Sequence, residues 1–253
     1  MRAALLANPQ RLANTLIITG QSQGSSSALG ATRISPTYAA DLKLVATIGT
    51  GVASSFPAGP YQQPDWKFTA QAPARFTMLR LVGGSIPAGG PVAEDLVSAK
   101  GRVALEKARE GCVDEMRAPE QQQGVNLDNA FTKSPTELDA ELTTATDMTP
   151  VRMPVPMFLG TGLADRTMPP QRQYATAAAL CSTGSKVVWR AYPGISHNGI
   201  VNAAFDDELT FVQQVLGAKP IASLPRRAHP KKQQLDCSST TESRVVPSLD
   251  VGS

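Results

Sequence analysis

The chain has 253 residues, 42% of them hydrophobic and 18% charged, with a formal net charge of +3. That is an ordinary globular composition, long enough for one sizeable domain or a domain carrying an inserted lid. The positive charge is small and scattered, and its one cluster (Arg226, Arg227, Lys231 and Lys232) lies in a polar C-terminal stretch, which argues against a nucleic-acid partner.

No apolar run approaches the roughly eighteen residues of a membrane span, so no transmembrane segment is expected. Met1 to Asn8 lacks the long apolar core of a signal peptide and reads as the end of a helix. Leu16-Ile17-Ile18 is a buried strand by length and β-branching. It runs into Gly20-Gln21-Ser22-Gln23-Gly24, after which Ala28, Leu29 and Ala31 favour a helix that Pro36 should stop. Leu44 to Ile48 is a second strand, closed by Gly49-Thr50-Gly51. Strand, helix and strand in so short a span predict a βαβ unit and therefore a parallel sheet.

Strand signals fade over 56–150, where Pro and Gly separate helical stretches at Val92 to Met116 and Thr136 to Thr144. This region is too long for one crossover and reads as an inserted helical cap. The α/β rhythm returns with a strand at Val155 to Leu159, a helix from Gln171 to Thr183, a strand from Lys186 to Ala191, and a last helix from Gly199 to Leu216 capped by Asn198. The expected organisation is 1–55 and 151–217 as two parts of one core, 56–150 as the cap, and 218–253 as a disordered tail.

Ser22 occupies the centre of Gly-x-Ser-x-Gly between a strand and a helix. A nucleophile there needs a strained, sharp turn, which only small neighbours permit, and the helix N-terminus behind it favours developing negative charge. A serine hydroxyl also needs a base. Of the two histidines, His229 lies in the polar tail and His197 follows the last predicted strand, so His197 is the candidate base. Asp165, in the loop after the strand at 155–159, is the candidate anion for the imidazole. The rivals Asp206 and Asp207 fall on the last helix and should face solvent. The order Ser, Asp, His is that of α/β-hydrolases. The N–H of Gln23 is the expected oxyanion donor. The cysteines Cys112, Cys181 and Cys237 contain no pair at metal-ligand spacing, and no metal site is expected.

These residues resemble the secretory lipase family, the Candida lipase A type with its bacterial relatives. The likeness rests on Gly-Gln-Ser-Gln-Gly, the Ser35 to Val45 segment, Gly49-Thr50-Gly51, Val155-Pro156, Asp165, Pro169-Pro170, Leu180-Cys181, Tyr192-Pro193-Gly194 and His197. It covers roughly residues 1 to 216. The resemblance implies an α/β-hydrolase fold whose parallel sheet is flanked by helices and carries an inserted helical cap. It also implies hydrolysis of small-molecule or lipid esters without a cofactor, and an extracellular or periplasmic location. Ser22, Asp165 and His197 fall on the family's triad, and Gln23 on its oxyanion position. Cys112 and Cys181 resemble two cysteines kept by relatives, implying a cap-to-core disulfide in an oxidising compartment, or two buried thiols in a reducing one, with Cys237 free. The family's N-terminal third has no counterpart. The expectation is therefore a truncated chain with only the C-terminal strands, lacking one oxyanion donor, and weakly active or inactive alone. An amidase or peptidase shares this triad, and a remnant acting as a binding module is the reading from a different class.

Overall fold

In the computed structural model, the structure describes residues 1–53, 74–86, 89–134, 137–138, 140–142, 150–217 and 233–237. The chain divides into two compact units, one of Met1–Gln63 with Met148–Ser253 and one of Pro64–Asp147.

The first unit is built on a five-stranded sheet in the order β1-β2-β3-β4-β5. Its strands are β1 (Leu16–Gln21), β2 (Leu44–Thr50), β3 (Met157–Gly162), β4 (Val187–Tyr192) and β5 (Gln233–Asp236). The first four run parallel, and β5 pairs antiparallel with β4. Helix α1 (Arg2–Ala7) precedes β1 and α2 (Gln23–Tyr38) follows it. Helix α8 (Pro170–Ser182) joins β3 to β4, and α9 (Ile200–Leu216) follows β4.

Side-chain alternation assigns the two faces of the sheet. Met157 and Leu159 of β3 pack with Val187, Trp189 and Ala191 of β4 against Leu29 of α2 and Tyr174, Ala177 and Leu180 of α8. The intervening Phe158 and Tyr192 pack on the other face against Ile200, Ala204 and Phe211 of α9. All six residues of β3 are buried. Covered on both faces, such a strand reads as a nearly continuous apolar run, and each large side chain buried there is worth about 1.5–3 kcal/mol.

Three expectations change in this unit. First, Pro36 lies inside α2 instead of ending it. Proline has no N–H for the carbonyl of Thr32, and the Ser35 hydroxyl donates to that carbonyl at 2.8 Å in its place. Secondly, 233–236 was expected within a disordered tail and forms β5, with Leu235 buried at its centre. His229 and the basic cluster lie outside the described residues. Thirdly, the Cys112–Cys181 disulfide is corrected. Cys181, near the end of α8, is bonded to Cys237 across a Cα–Cα distance of 5.7 Å, inside the range disulfides require. The cause is β5, which sets the Cys237 N–H on the carbonyl of Val187 at 2.9 Å. Cys112 is an exposed free thiol.

The second unit is helical: α3 (Arg75–Gly84), α4 (Ala93–Leu96), α5 (Arg102–Glu110), α6 (Arg117–Gln123) and α7 (Leu127–Ala130). Met78, Leu81, Leu96, Leu105, Met116 and Leu127 contribute to its core. The helical stretch expected over Val92 to Met116 is broken, because Val97 forms an antiparallel bridge with Phe131. Gly101 then approaches the carbonyl of Ala130 so closely that a Cβ there would lie 2.0 Å from its oxygen. The stretch Thr136 to Thr144 lies partly outside the described residues; Leu138 and Leu142 within it are buried. No helix among the described residues is long and apolar enough to cross a membrane.

Candidate active site

Four parallel strands place their C-terminal ends along one edge of the sheet, where ligands gather in open α/β folds. Ser22 follows β1, Gly51 follows β2, Asp165 lies three residues beyond β3, and His197 five residues beyond β4.

Ser22 is the one described non-glycine residue with positive φ (φ 56°, ψ −123°). Backbone strain of this kind costs on the order of 1–3 kcal/mol and persists only where the surroundings hold it. Here the Ser22 N–H donates to the carbonyl of Thr50 at 2.9 Å, and its own carbonyl accepts from the N–H groups of Ser25 and Ser26. The two glycines of the motif differ. A Cβ on Gly20 would lie 2.1 Å from the carbonyl oxygen of Gly24, whereas a Cβ on Gly24 would meet nothing within 4 Å. Only the first glycine is demanded sterically, contrary to the reading that required both neighbours small.

The acid and base loops are stitched together by backbone. The N–H of Leu163 donates to the carbonyl of Tyr192, and that of Ala164 to the carbonyl of Ile195, both at 3.0 Å. Gly162 permits this approach: a Cβ there would lie 2.3 Å from the Ile195 oxygen. The result is a continuous relay. The Ser22 hydroxyl lies 2.8 Å from His197 Nε2, and His197 Nδ1 lies 2.7 Å from Asp165 Oδ2. The chemistry of the partners assigns the protons, since an ionised carboxylate only accepts. Nδ1–H therefore donates to Asp165, and Nε2 is left to accept from the serine. The Asp165 side chain is fully buried and that of His197 is 12% exposed.

Around this relay are groups that the sequence reading did not single out. The N–H groups of Thr167 and Met168 both donate to Asp165 Oδ1 at 2.8 Å. Gln173 Nε2 donates to Oδ2 at 2.9 Å. On the base side, Gln21 Nε2 donates to the His197 carbonyl at 3.2 Å. Gly51, at φ +57°, passes so near the imidazole that a Cβ there would lie 3.1 Å from Cε1. Gln23 is the first residue of α2, so its N–H belongs to the helix donors that have no intrahelical acceptor. Of the rivals to Asp165, Asp206 is exposed, while Asp207 was expected to face solvent and is half-buried, accepting from the Tyr192 hydroxyl at 2.6 Å. A cavity of about 390 Å³ beside Met153, Val155 and Lys186 opens at the opposite end of β3 and β4.

A buried carboxylate, an imidazole bridging it to a hydroxyl, and a strained turn at a helix N-terminus form an arrangement able to activate a serine nucleophile. Solved structures match the arrangement of strands and helices that supports it. Candida antarctica lipase A in its closed state superposes with a TM-score of 0.56 at 19% identity, over 86% of this chain and 53% of that one. The rice cell wall degrading esterase LipA from Xanthomonas oryzae gives 0.58 at 13% identity, over 85% of this chain and 60% of that one. The fold is that of the α/β-hydrolases. The chain spans 53% and 60% of the length of these two structures, and identities this low speak to the fold alone. No family model and no curated protein matches the sequence.

Proposed function

We propose that the chain is a serine-dependent carboxylic ester hydrolase, a lipase or esterase working through an acyl-enzyme. The observation that carries this reading is the unbroken Ser22–His197–Asp165 relay at 2.8 and 2.7 Å. Ser22 Oγ attacks the ester carbonyl as His197 Nε2 takes its proton. Asp165 holds the imidazole in the tautomer that leaves Nε2 free and stabilises the imidazolium that forms. The Gln23 N–H stabilises the oxyanion at the start of α2. His197 then protonates the departing alcohol, and a water activated by the same imidazole releases the acid.

The lipase and esterase named above share this fold, which supports an ester substrate. The Cys181–Cys237 disulfide favours an oxidising compartment such as the periplasm or the extracellular space. The helical unit at Pro64–Asp147 is the candidate inserted cap. The test is turnover of p-nitrophenyl esters by the wild type and by Ser22→Ala. The mutation should abolish hydrolysis, since members of a triad act together and are worth several orders of magnitude in rate. Equal rates would sink the assignment.

A further inference from the structure

We propose that Gln173 is a positioning residue for the Asp165 carboxylate: its side-chain amide fixes the oxygen that receives the His197 Nδ1 proton and shares that oxygen's charge. The proposal deepens the hydrolase reading and rests on it.

Gln173 lies in the first turn of α8 and is 1% exposed. Its Nε2 makes two bonds, to Asp165 Oδ2 at 2.9 Å and to the carbonyl of Met168 at 2.8 Å. Both partners are acceptors, so the amide has only one chemically sensible orientation; the reverse would set its oxygen against a carboxylate and a carbonyl. The same Oδ2 accepts from His197 Nδ1 at 2.7 Å. Asp165 therefore receives four N–H groups. Two backbone donors from Thr167 and Met168 hold Oδ1, and Gln173 and His197 share Oδ2.

The other end of the amide argues for a task beyond packing. Gln173 Oε1 is buried and finds no hydrogen-bond partner among the described residues. Leaving a buried polar atom unpaired is destabilising, and an apolar residue would avoid that cost. The retained amide spends both donors on the acid and its loop, tying α8 to the relay. Other charged residues on this loop and turn are Arg166 and Arg172. The ends of β1 and β2 contribute the uncharged Gln21, Ser22 and Gly51, and the loop from Pro193 to Asn198 has His197 as its one ionisable group.

The amide's share of the charge has a definite sign. Withdrawing its N–H leaves more negative charge on Oδ2 to stabilise the imidazolium, so His197 holds its proton to higher pH. A carboxylate in the amide's place adds a second negative charge and acts in the same direction, more strongly.

The experiment measures the rate of Ser22 labelling by a fluorophosphonate across pH, using the full chain as wild type, Gln173→Leu and Gln173→Glu, with the melting temperature of each. A wild type that is not labelled at Ser22 sinks the hydrolase reading, and this proposal with it, before any variant is compared. Given a labelled wild type, Gln173→Leu should lower the labelling rate about tenfold or more while melting no lower than wild type. The midpoint of its acid limb should move to higher pH, and Gln173→Glu should move it further. Labelling within twofold of wild type, or a loss of rate with an unmoved midpoint in both variants, overturns the proposal.

Discussion

β1 and β3 lie in the same sheet and end beside the same site, yet they are held in different ways. β3 has a neighbour on each side and all six of its residues are buried. Among the described residues β1 pairs only with β2, and none of its six residues is fully buried. The strand with the less protected environment carries the strained residue, Ser22. The elbow is thus set mainly by local contacts, Gly20 against Gly24 and the first turn of α2, with one tertiary tie from the Ser22 N–H to Thr50 of β2. The acid–base pair is determined by tertiary packing, by Gly162 against Ile195 and by α8 behind Asp165.

The largest expected effect separates the two glycines of the elbow. Gly20→Ala should reduce ester turnover by orders of magnitude, because its methyl has no room beside the Gly24 oxygen. Gly24→Ala should stay within a few-fold of wild type and melt no lower, since alanine is the better helix former. Turnover by both proteins under one assay checks the pair, and equal damage would mean the elbow is not set by this contact.

An intermediate effect belongs to β5. Cys237→Ser should lower stability by about 2–4 kcal/mol, read from urea unfolding without reductant, while turnover below the melting transition stays close to wild type. The reason is position: Cys237 bonds to the start of β4 at Val187, and His197 follows the other end of that strand. A loss of turnover matching the loss of stability would show that the two ends of β4 are coupled.

The smallest effect concerns α9. Burial, followed by the nearby Asp207, raises the Glu208 carboxyl to about 7. In the unfolded chain it ionises near the ordinary carboxylate value, so between roughly pH 4.5 and 7 the folded state binds more protons than the unfolded one. This group's contribution to stability therefore declines as pH rises through that window. Glu208→Gln should raise the melting temperature at pH 8 and leave it nearly unchanged at pH 4.5. A rise of equal size at both values would assign the gain to something other than ionisation.

What the sequence made legible follows the same division. Ser22, its strand and its helix form one contiguous stretch whose glycine spacing has a steric meaning. Asp165 and His197 could be chosen by their positions after strands and by the scarcity of histidine. The partner of Cys181 was not legible, because it depends on β5, a four-residue segment (Gln-Gln-Leu-Asp) with one apolar side chain that carries no strand signal of its own. Gln173 was equally hidden: a glutamine in a helix reads as a solvent-facing residue until the fold places Asp165 beside it. Pro36 reads as a stop until the Ser35 hydroxyl is seen to replace the missing N–H.

Because Cys181 and Cys237 are bonded to each other and the chain has three cysteines in all, Cys112 is its single free thiol. A maleimide dye or a surface linker added without reductant should therefore couple at one defined point. That point lies in the helical unit, whereas Ser22, Asp165 and His197 belong to the other. The native sequence thus offers a ready site for oriented immobilisation, or for watching the helical unit by fluorescence during turnover.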